Sequence, residues 1–365
     1  MFIHVSMMLL FIGPKLKQSK QNLPFNYTNL LSIEISRKKV FCARKFVLDK
    51  INIMNYRNIK DLNNVILERL SIIPRDFDLI VGVPRSGMLP ANLLSLYLNR
   101  PYTDIDSFLN GHIYKAGARS QFFESGEYKK VLVVDDSIAS GSAMTEVKGI
   151  LKHLEDKFDI KYCAIYVIPG KEKMVDYYFE KVALPRYFQW NILNHTTLEK
   201  ACFDIDGVLC ADPSPEQNDD GEKYIDFILN APPLFIPGSK IGTIVTSRLE
   251  KYRKETETWL AANDIKYNDL VMLDLPNMEA RQRANNHGDH KAKAYMAKPY
   301  VLFIESEINQ AVEINRISKK PVLCTANFEM IFESESFRYN LKSGKHLPFL
   351  RKYALKVRDQ IRKLK

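Results

Sequence analysis

The chain has 365 residues, of which 46% are hydrophobic and 26% charged, and its formal net charge is +10 at pH 7. This length is typical of two domains, and the apolar fraction suffices for a buried core, which excludes wholesale disorder. Residues 1–53 carry +7 and residues 346–365 carry +6, so the stretch between them carries −3. The basicity therefore lies in the two ends. A solvated tail is the usual explanation, and a tether to RNA or to a membrane is the alternative.

Cysteine content and hydropathy favour a cytoplasmic protein. The five cysteines are odd in number, and no pair has the spacing of metal ligands, which favours free thiols in a reducing compartment. Residues 1–13 are apolar but lack the basic start and the cleavage site of a signal peptide. No segment approaches the roughly eighteen apolar residues of a spanning helix. We therefore predict no specific nucleic-acid or membrane partner.

Taken in chain order, the first 53 residues show no clear period, and we expect a basic extension or a misassigned start. Helical spacing begins after Met54, and strands and helices then alternate. The predicted strands lie at 77–83, 131–134 and 162–168, and the predicted helices at 90–98 and 143–154. This alternation is typical of a parallel sheet covered on both faces. A polar, aromatic stretch at 185–197 then separates these elements from a second run of alternating strands and helices.

The second run contains five predicted strands, near 200–203, 241–245, 270–273, 301–304 and 321–324. The fold class predicted is therefore α/β, with two consecutive Rossmann-like, doubly wound parallel sheets. We place the first domain at 54–195 and the second at 196–345. Residues 346–365 are predicted to form a basic C-terminal helix with one apolar face.

The first motif is at residues 131–142, VLVVDDSIASGS. A buried strand brings Asp135 and Asp136 to the carboxyl edge of a parallel sheet, where open α/β sheets bind ligands. Ser140, Gly141 and Ser142 then form a small loop that turns into a helix, whose N–H groups suit a phosphate. A sugar phosphate with vicinal hydroxyl groups would fit both parts.

This motif resembles the PRPP-binding signature of type I phosphoribosyltransferases. The resemblance implies that Asp135 and Asp136 hold the ribose hydroxyls together with Mg²⁺, with Asp136 as a metal ligand. It also implies that Ser140, Gly141 and Ser142 bind the 5′-phosphate. Type I transferases are often dimers, so a homodimer is compatible with the resemblance.

Two further segments fit the same family. Arg85, Ser86 and Gly87 follow the strand at 77–83, and they resemble the pyrophosphate loop, because small residues allow close backbone approach and a guanidinium pairs two oxygens. Residues 110–127 correspond to the mobile catalytic loop, in which Lys115 and Arg119 would neutralise the leaving pyrophosphate. An ordinary solvated loop is the alternative for each of these two residues.

One position departs from the family. Enzymes acting on 6-oxopurines carry Asp where this chain has Ala139, and orotate enzymes carry Thr, so we expect an acceptor other than hypoxanthine or guanine. Four aromatic residues could stack on a base, although a place in the core is commoner for such residues: Tyr177, Tyr178, Phe188 and Trp190.

The second motif is CFDIDGVL at 202–209. Two carboxylates one residue apart at a strand end can share Mg²⁺, while one attacks phosphorus and the other protonates the leaving oxygen. This motif resembles the first motif of haloacid dehalogenase (HAD) superfamily phosphohydrolases. The resemblance implies that Asp204 is the nucleophile and that Asp206 is the acid/base.

The remaining motifs of that superfamily follow in order. Thr246 matches the phosphate-binding hydroxyl, and Lys291 matches the lysine that steadies nucleophile and phosphate, with Lys293 as a rival. Only about 33 residues separate Gly207 from the strand at 241–245, which allows only a small cap, and they include a polar flap at 212–224 that could select the substrate.

The final acidic motif is altered, because Glu305 stands where Asp is usual. The second acid is displaced to Glu307 or replaced by Asn309. The resemblance implies that Asp204, Asp206 and Glu305 are the Mg²⁺ ligands.

Together these patterns favour an enzyme of nucleotide metabolism. One domain would transfer phosphoribose from PRPP to an unidentified acceptor, and the other would hydrolyse a phosphorylated sugar or nucleotide. The alternative is a PRPP-sensing or scaffolding protein in which one or both sites are inactive, which the substitutions at Ala139 and Glu305 favour slightly.

Overall fold

A computed structural model describes residues 54–114, 128–284 and 286–332. Within these ranges the chain forms a five-stranded sheet, a six-stranded sheet and a separate strand pair. The predicted basic ends and the predicted loop residues Lys115 and Arg119 lie outside the described ranges. Among the described residues, we find no helix with the length and apolarity needed to cross a bilayer.

In chain order the strands are β1 (Asn55–Arg57), β2 (Leu79–Gly82), β3 (Tyr102–Asp104), β4 (Lys130–Ile138), β5 (Asp159–Val167), β6 (Tyr177–Lys181), β7 (Arg186–Phe188), β8 (Ala201–Phe203), β9 (Ile241–Leu249), β10 (Tyr267–Leu273), β11 (Leu302–Glu305), β12 (Val322–Cys324) and β13 (Glu329–Ile331). The α-helices are α1 (Ile59–Arg69), α2 (Met88–Leu98), α3 (Ile105–Leu109), α4 (Ser142–Leu151), α5 (Glu222–Asn230), α6 (Arg253–Ala262), α7 (Met278–Ala284), α8 (His287–Ala297) and α9 (Ile308–Ser318).

The first sheet has the order β3-β2-β4-β5-β6, and all its strands are parallel. Apolar residues alternate between its faces, so that Leu132 and Val134 join one buried cluster while Val131 and Val133 join another. Burial of both faces is typical of a parallel sheet with helices on each side. The chain winds in opposite directions from β2, and the crevice for ligands therefore lies beyond the carboxyl ends of β2 and β4.

The second sheet has the order β10-β9-β8-β11-β12-β13. Its first five strands are parallel, and winding reverses between β8 and β11, whose carboxyl ends lie next to Asp204 and Glu305. The predicted α/β class with parallel sheets is confirmed. Strand β13, which the sequence patterns did not predict, pairs antiparallel with β12. Only a four-residue turn joins these two strands, and so short a connection permits only an antiparallel return.

The strand pair is formed by β1 and β7, which run parallel. The sequence patterns predicted a separating stretch at 185–197, but Arg186, Tyr187 and Phe188 are buried and paired. Aromatic residues have high strand propensity, and burial against a neighbouring core stabilises so short a strand. Tyr56 of β1 packs in the same core cluster as the second sheet, and its hydroxyl donates to the Phe328 carbonyl at 3.1 Å.

Candidate functional site

The acidic pair lies near the end of β4, where both side chains are buried. Asp135 is 7% exposed and Asp136 is 4% exposed, and the backbone N–H of Asp136 donates to Oδ1 of Asp135 at 2.8 Å. Burial, together with the neighbouring Asp136, raises the pKa of Asp135 to about 7. Two adjacent carboxylates in a poorly solvated crevice repel one another, and a cation would relieve that repulsion.

Both oxygens of Asp136 accept hydrogen bonds from side chains. The Ser86 hydroxyl donates to Oδ1 at 3.0 Å, and the Trp190 indole N–H donates to Oδ2 at 2.7 Å. Trp190 is stacked on Phe188 with ring centroids 5.0 Å apart. Of the four predicted aromatic residues, these two lie together beside the acidic pair, whereas Tyr177 and Tyr178 are half-buried on β6.

The predicted pyrophosphate loop lies directly against β4. A side chain at Gly87 would bring its Cβ within 2.6 Å of the Val83 carbonyl oxygen and 2.8 Å of the Val134 carbonyl oxygen, so only glycine fits there. Arg85 is exposed, and its guanidinium donates to Oδ1 of Asn191 at 3.0 Å. The loop therefore has a backbone that can approach a ligand and one cation at its rim.

The predicted phosphate loop leads into α4. Gly141 has φ 89°, a left-handed conformation that favours glycine, and Ser142 is the first residue of the ten-residue helix. Ser140 and Ser142 are exposed, and their hydroxyl oxygens lie 2.9 Å apart. Two hydroxyl groups at a helix N-terminus suit the binding of a phosphate.

Arg186 is a site residue that the motif comparison did not identify. It is 8% exposed, and burial lowers its pKa. The negative charges of Asp136 and Asp135 act in the opposite direction but do not offset the effect of burial. Its guanidinium lies over the Phe188 ring, 5.3 Å from the centroid. The period of two along β7 could have indicated that Arg186 shares a face with Phe188.

The second candidate site lies around Lys291, which is 1% exposed. Its Nζ donates to Oδ2 of Asp204 at 2.6 Å, to Oε2 of Glu305 at 2.7 Å and to Oε1 of Gln310 at 2.8 Å. Burial favours the uncharged amine, but the two carboxylates outweigh it and raise the pKa of Lys291. Burial also raises the pKa of Asp204, an effect that the lysine opposes. The rival Lys293 is an exposed residue paired with Asp289 one turn away along α8.

The two glutamates of the altered acidic motif, Glu305 and Glu307, have different structural roles. Glu305 is fully buried, and its Oε1 accepts from the backbone N–H groups of Ser306 and Glu307 at 3.1 and 3.2 Å. Glu307 caps α9 and accepts from the backbone N–H groups of Asn309 and Gln310 at 2.9 and 2.7 Å. Both predicted substitutes for the second acid, Glu307 and Asn309, therefore take part in a helix cap.

Asp206 is held by Arg248, which the motif comparison did not identify. The Arg248 side chain is fully buried, and its Nη2 and Nε donate to Oδ1 of Asp206 at 2.6 and 3.1 Å. Arg248 comes two residues after Thr246 near the end of β9. Its position in the same motif could have indicated from the sequence that it belongs to the site. The ion pair fixes the orientation of the predicted acid/base.

Of the neighbours Thr246 and Ser247, it is Ser247 that lines the cavity. Thr246 is fully buried, and its hydroxyl oxygen accepts from the Arg248 backbone N–H at 3.1 Å. Ser247 lines the cavity, and its hydroxyl lies 2.9 Å from Nδ1 of His287. Adjacent residues of a strand face opposite sides, which separates Thr246 from Ser247.

A cavity of about 680 Å³ opens over Asp204, a volume within the range of small-molecule sites. The charged side chains of its wall are five acids and two bases, Asp204, Asp206, Asp212, Glu305, Glu307, Lys291 and Arg281. The predicted polar flap contributes Pro213, Asn218 and Tyr224 to the same wall.

Oxygen donors with an excess of negative charge are the donor chemistry that Mg²⁺ prefers, so these residues fit that ion. In the described ranges, no three His, Cys, Asp or Glu side chains are already gathered in metal-binding geometry. In this structure the Lys291 ammonium forms ion pairs with both Asp204 and Glu305.

A comparison with protein families finds a match for the first part of the chain. The sequence model of the phosphoribosyl transferase domain matches residues 52–194. Residues 52–194 are therefore similar to phosphoribosyltransferase domains, and this match covers less than half of the chain. The match includes both loops and the acidic pair of the first site, and it agrees with the resemblance found at the motif.

Characterised relatives match only part of the chain. The transcriptional regulator GfcR of Methanocaldococcus jannaschii is 28% identical over 145 residues, which cover 34% of this chain and 68% of the regulator. GfcR of Methanococcoides burtonii is 27% identical over 95 residues, covering 26% and 47%. Among solved structures, the xanthine-guanine-hypoxanthine phosphoribosyltransferase of Helicobacter pylori is 16% identical with a TM-score of 0.30, covering 38% of this chain and 94% of that enzyme.

Proposed function

We propose that the protein is a two-domain enzyme whose first domain, at 54–195, transfers phosphoribose from PRPP to an acceptor. The observation that carries this proposal is the buried pair Asp135 and Asp136 between two loops suited to phosphate groups. Such an arrangement at the switch point of a parallel sheet matches a ligand with a diol between a phosphate and a pyrophosphate.

Each part of the first site would then have one task. Asp135 and Asp136 orient the ribose hydroxyls, and Mg²⁺ bound with them would screen the charge of the pyrophosphate. Ser140 and Ser142 bind the 5′-phosphate at the start of α4. Arg85 lies where it could pair with the departing pyrophosphate.

A binding and turnover assay tests this proposal. Purified protein is supplied with PRPP, Mg²⁺ and a panel of bases, and pyrophosphate release and calorimetric PRPP binding are followed. The double variant Asp135→Asn, Asp136→Asn should lose PRPP binding. The matched control is Glu155→Gln, Asp156→Asn, which makes the same charge change at two exposed residues of the same domain and should bind normally. Unchanged affinity in the first variant would overturn the assignment.

We further propose that the second domain, at 196–345, is a phosphohydrolase of the HAD type. The observation that supports it is the buried Lys291 shared by Asp204 and Glu305 at the base of an open cavity. A carboxylate whose charge is balanced by a fixed ammonium can receive a phosphate without the two anions repelling one another fully.

The proposed reaction has two steps. A carboxylate oxygen of Asp204 attacks phosphorus, the bond from phosphorus to the ester oxygen breaks, and the leaving alcohol takes a proton from Asp206. Water, activated by Asp206, then attacks the aspartyl phosphate, releasing inorganic phosphate and restoring Asp204. Throughout, Lys291 neutralises the transferring phosphoryl group, and Ser247 is placed to donate a hydrogen bond to it. Asp204, Asp206 and Glu305 would hold Mg²⁺, which supplies Lewis-acid stabilisation of the phosphoryl oxygens.

Phosphate release from a panel of sugar phosphates and nucleotides tests this second activity. The variant Asp204→Asn keeps the size of the side chain and removes the nucleophile, so turnover should fall by roughly 10³-fold or more. The fall must occur without loss of fold, measured by circular dichroism. A wild type that hydrolyses no ester, or an equally active Asp204→Asn, would remove the phosphohydrolase from consideration.

A second candidate function is a PRPP-responsive regulator that binds without transferring. Both oxygens of Asp136 are already engaged by Ser86 and Trp190, Ala139 supplies no acid/base, and two relatives are named as transcriptional regulators. The base panel separates the candidates. PRPP binding with no pyrophosphate released for any base would favour the regulator, and pyrophosphate release would favour the transferase.

A further inference from the structure

The wall of the second cavity includes Arg281, a cation whose described hydrogen bonds go to neutral acceptors. Arg281, on α7, donates to the Ser247 carbonyl oxygen and to Oδ1 of Asn218, and both distances are 3.4 Å, long for hydrogen bonds. Each acceptor belongs to a residue that lines the cavity, as Arg281 itself does. Its guanidinium therefore retains donor capacity toward the cavity.

Arg281 is not the cation that balances the reacting carboxylates. Lys291 has that role, at 2.6 Å from Asp204 and 2.7 Å from Glu305, and the buried Arg248 holds Asp206. Arg281 belongs instead to a polar group with Ser247, Asn218 and His287, where the described contacts include no carboxylate. The cavity thus contains two separate cations: Lys291, which is paired with carboxylates, and Arg281, which contacts neutral polar groups.

We propose that Arg281 binds a second anionic group of the phosphate ester, so that the substrate is a phosphate monoester that also carries a carboxylate or another phosphate. This inference rests on the proposed phosphohydrolase function. A planar guanidinium matches either group through two parallel N–H donors, which gives both charge and direction. His287 and Asn218, next to Arg281, offer further polar contacts to the same group. The Phe235 ring lines the same cavity and is available to the carbon skeleton, whereas the buried Tyr224 side chain is hydrogen-bonded with Arg281.

The substrate test uses pairs of esters that differ only in the second charge. One pair is 2-phosphoglycolate against ethyl phosphate, and the other is 1,3-propanediol bisphosphate against 3-hydroxypropyl phosphate. The wild type should prefer the ester with the second anionic group in at least one pair, by about tenfold or more in kcat/KM, as expected for a charge-assisted hydrogen bond. The pair that shows the preference identifies whether the second group is a carboxylate or a phosphate.

The variant Arg281→Met removes the charge and keeps much of the length. It should reduce the preference ratio toward one, mainly by raising the KM of the ester that carries the second anionic group. The matched control is Arg283→Met, which makes the same change at an exposed residue of α7 that does not line the cavity and should keep the wild-type preference. The same ester pairs are also titrated with Asp204→Asn, so that binding is measured without turnover.

The outcomes separate this inference from the proposed function. Hydrolysis of both members of each pair at equal kcat/KM, or an unchanged preference in Arg281→Met, overturns the role of Arg281 and leaves the phosphohydrolase standing. Preferential binding that requires Arg281 without any hydrolysis supports the inference and overturns the phosphohydrolase. If the wild type neither binds nor hydrolyses any of the four esters, both are overturned.

Discussion

The ammonium group of Lys291 lies 2.6 Å from a carboxylate oxygen of Asp204, although the two residues are 87 positions apart. The carboxyl end of β8 and the interior of α8 meet there, and Glu305 completes the contact from β11. A buried ammonium balanced by two buried carboxylates makes each member of the cluster depend on the others.

Replacing Lys291 by Met should therefore destabilise the protein by about 3–5 kcal/mol, because two buried carboxylates lose their counter-charge. The loss should be smaller at pH 5 than at pH 8, since a proton taken up by one carboxylate removes the repulsion. Urea unfolding at both pH values measures this. Lys293→Met is the matched control, because Lys293 is 71% exposed, and its variant should be nearly neutral. Equal losses in the two variants would contradict the assignment of Lys291 over Lys293.

The ion pair of Arg248 and Asp206 predicts a strong energetic coupling. Arg248→Met and Asp206→Asn should each be destabilising by a few kcal/mol, because each leaves a buried or half-buried charge without its partner. The double variant should cost clearly less than the two single variants together. Chemical unfolding of all four proteins closes this cycle. Strict additivity would mean that the two side chains do not interact in solution.

Asp135 predicts a pH dependence of the protein without ligand. Its pKa is raised to about 7 from an ordinary 3.8, so the folded state holds the proton more strongly than the unfolded state does. The contribution of Asp135 to the free energy of unfolding is fully present below pH 4 and is lost as the pH rises through about 7. Asp135→Asn should thus gain stability over the wild type at pH 8 and little at pH 4. Thermal unfolding in the presence of a chelator measures the difference, and a gain that is equal at both pH values contradicts the assigned pKa.

The glycine of the pyrophosphate loop predicts a steric effect. Gly87→Ala would place a methyl group within 3.0 Å of two carbonyl oxygens and the Asp135 Cα, so the loop or β4 must move and PRPP binding should be lost. Gly149→Ala is the control, because nothing lies within 4 Å of its Cβ position on α4. That variant should gain about 0.5–1 kcal/mol from helix propensity. Calorimetry and unfolding compare the two, and normal PRPP binding by Gly87→Ala would contradict the placement of this loop.

Local pattern alone was enough for much of the fold. Buried apolar runs ending in acids and small residues predicted β2, β4, β8, β9 and β11, because a parallel strand with both faces covered leaves a continuous apolar signal. The same runs placed Asp135, Asp204 and Glu305 at strand ends. Strands β1, β3, β6, β7 and β13 were not predicted, because each is short, contains polar residues, and forms only by pairing with a partner elsewhere in the chain.

Within the candidate sites, the sequence determined which residue types stand at the sheet edges, and the tertiary structure decided which of them meet. Spacing along the chain did not distinguish Lys291 from Lys293, nor Thr246 from Ser247, because each choice depends on which face of α8 or β9 is turned toward the site. It also did not show that Arg248 would hold Asp206 or that Trp190 would donate to Asp136. These contacts join residues 42 and 54 positions apart. They form only when the strand order brings distant segments to one edge, which no local pattern encodes.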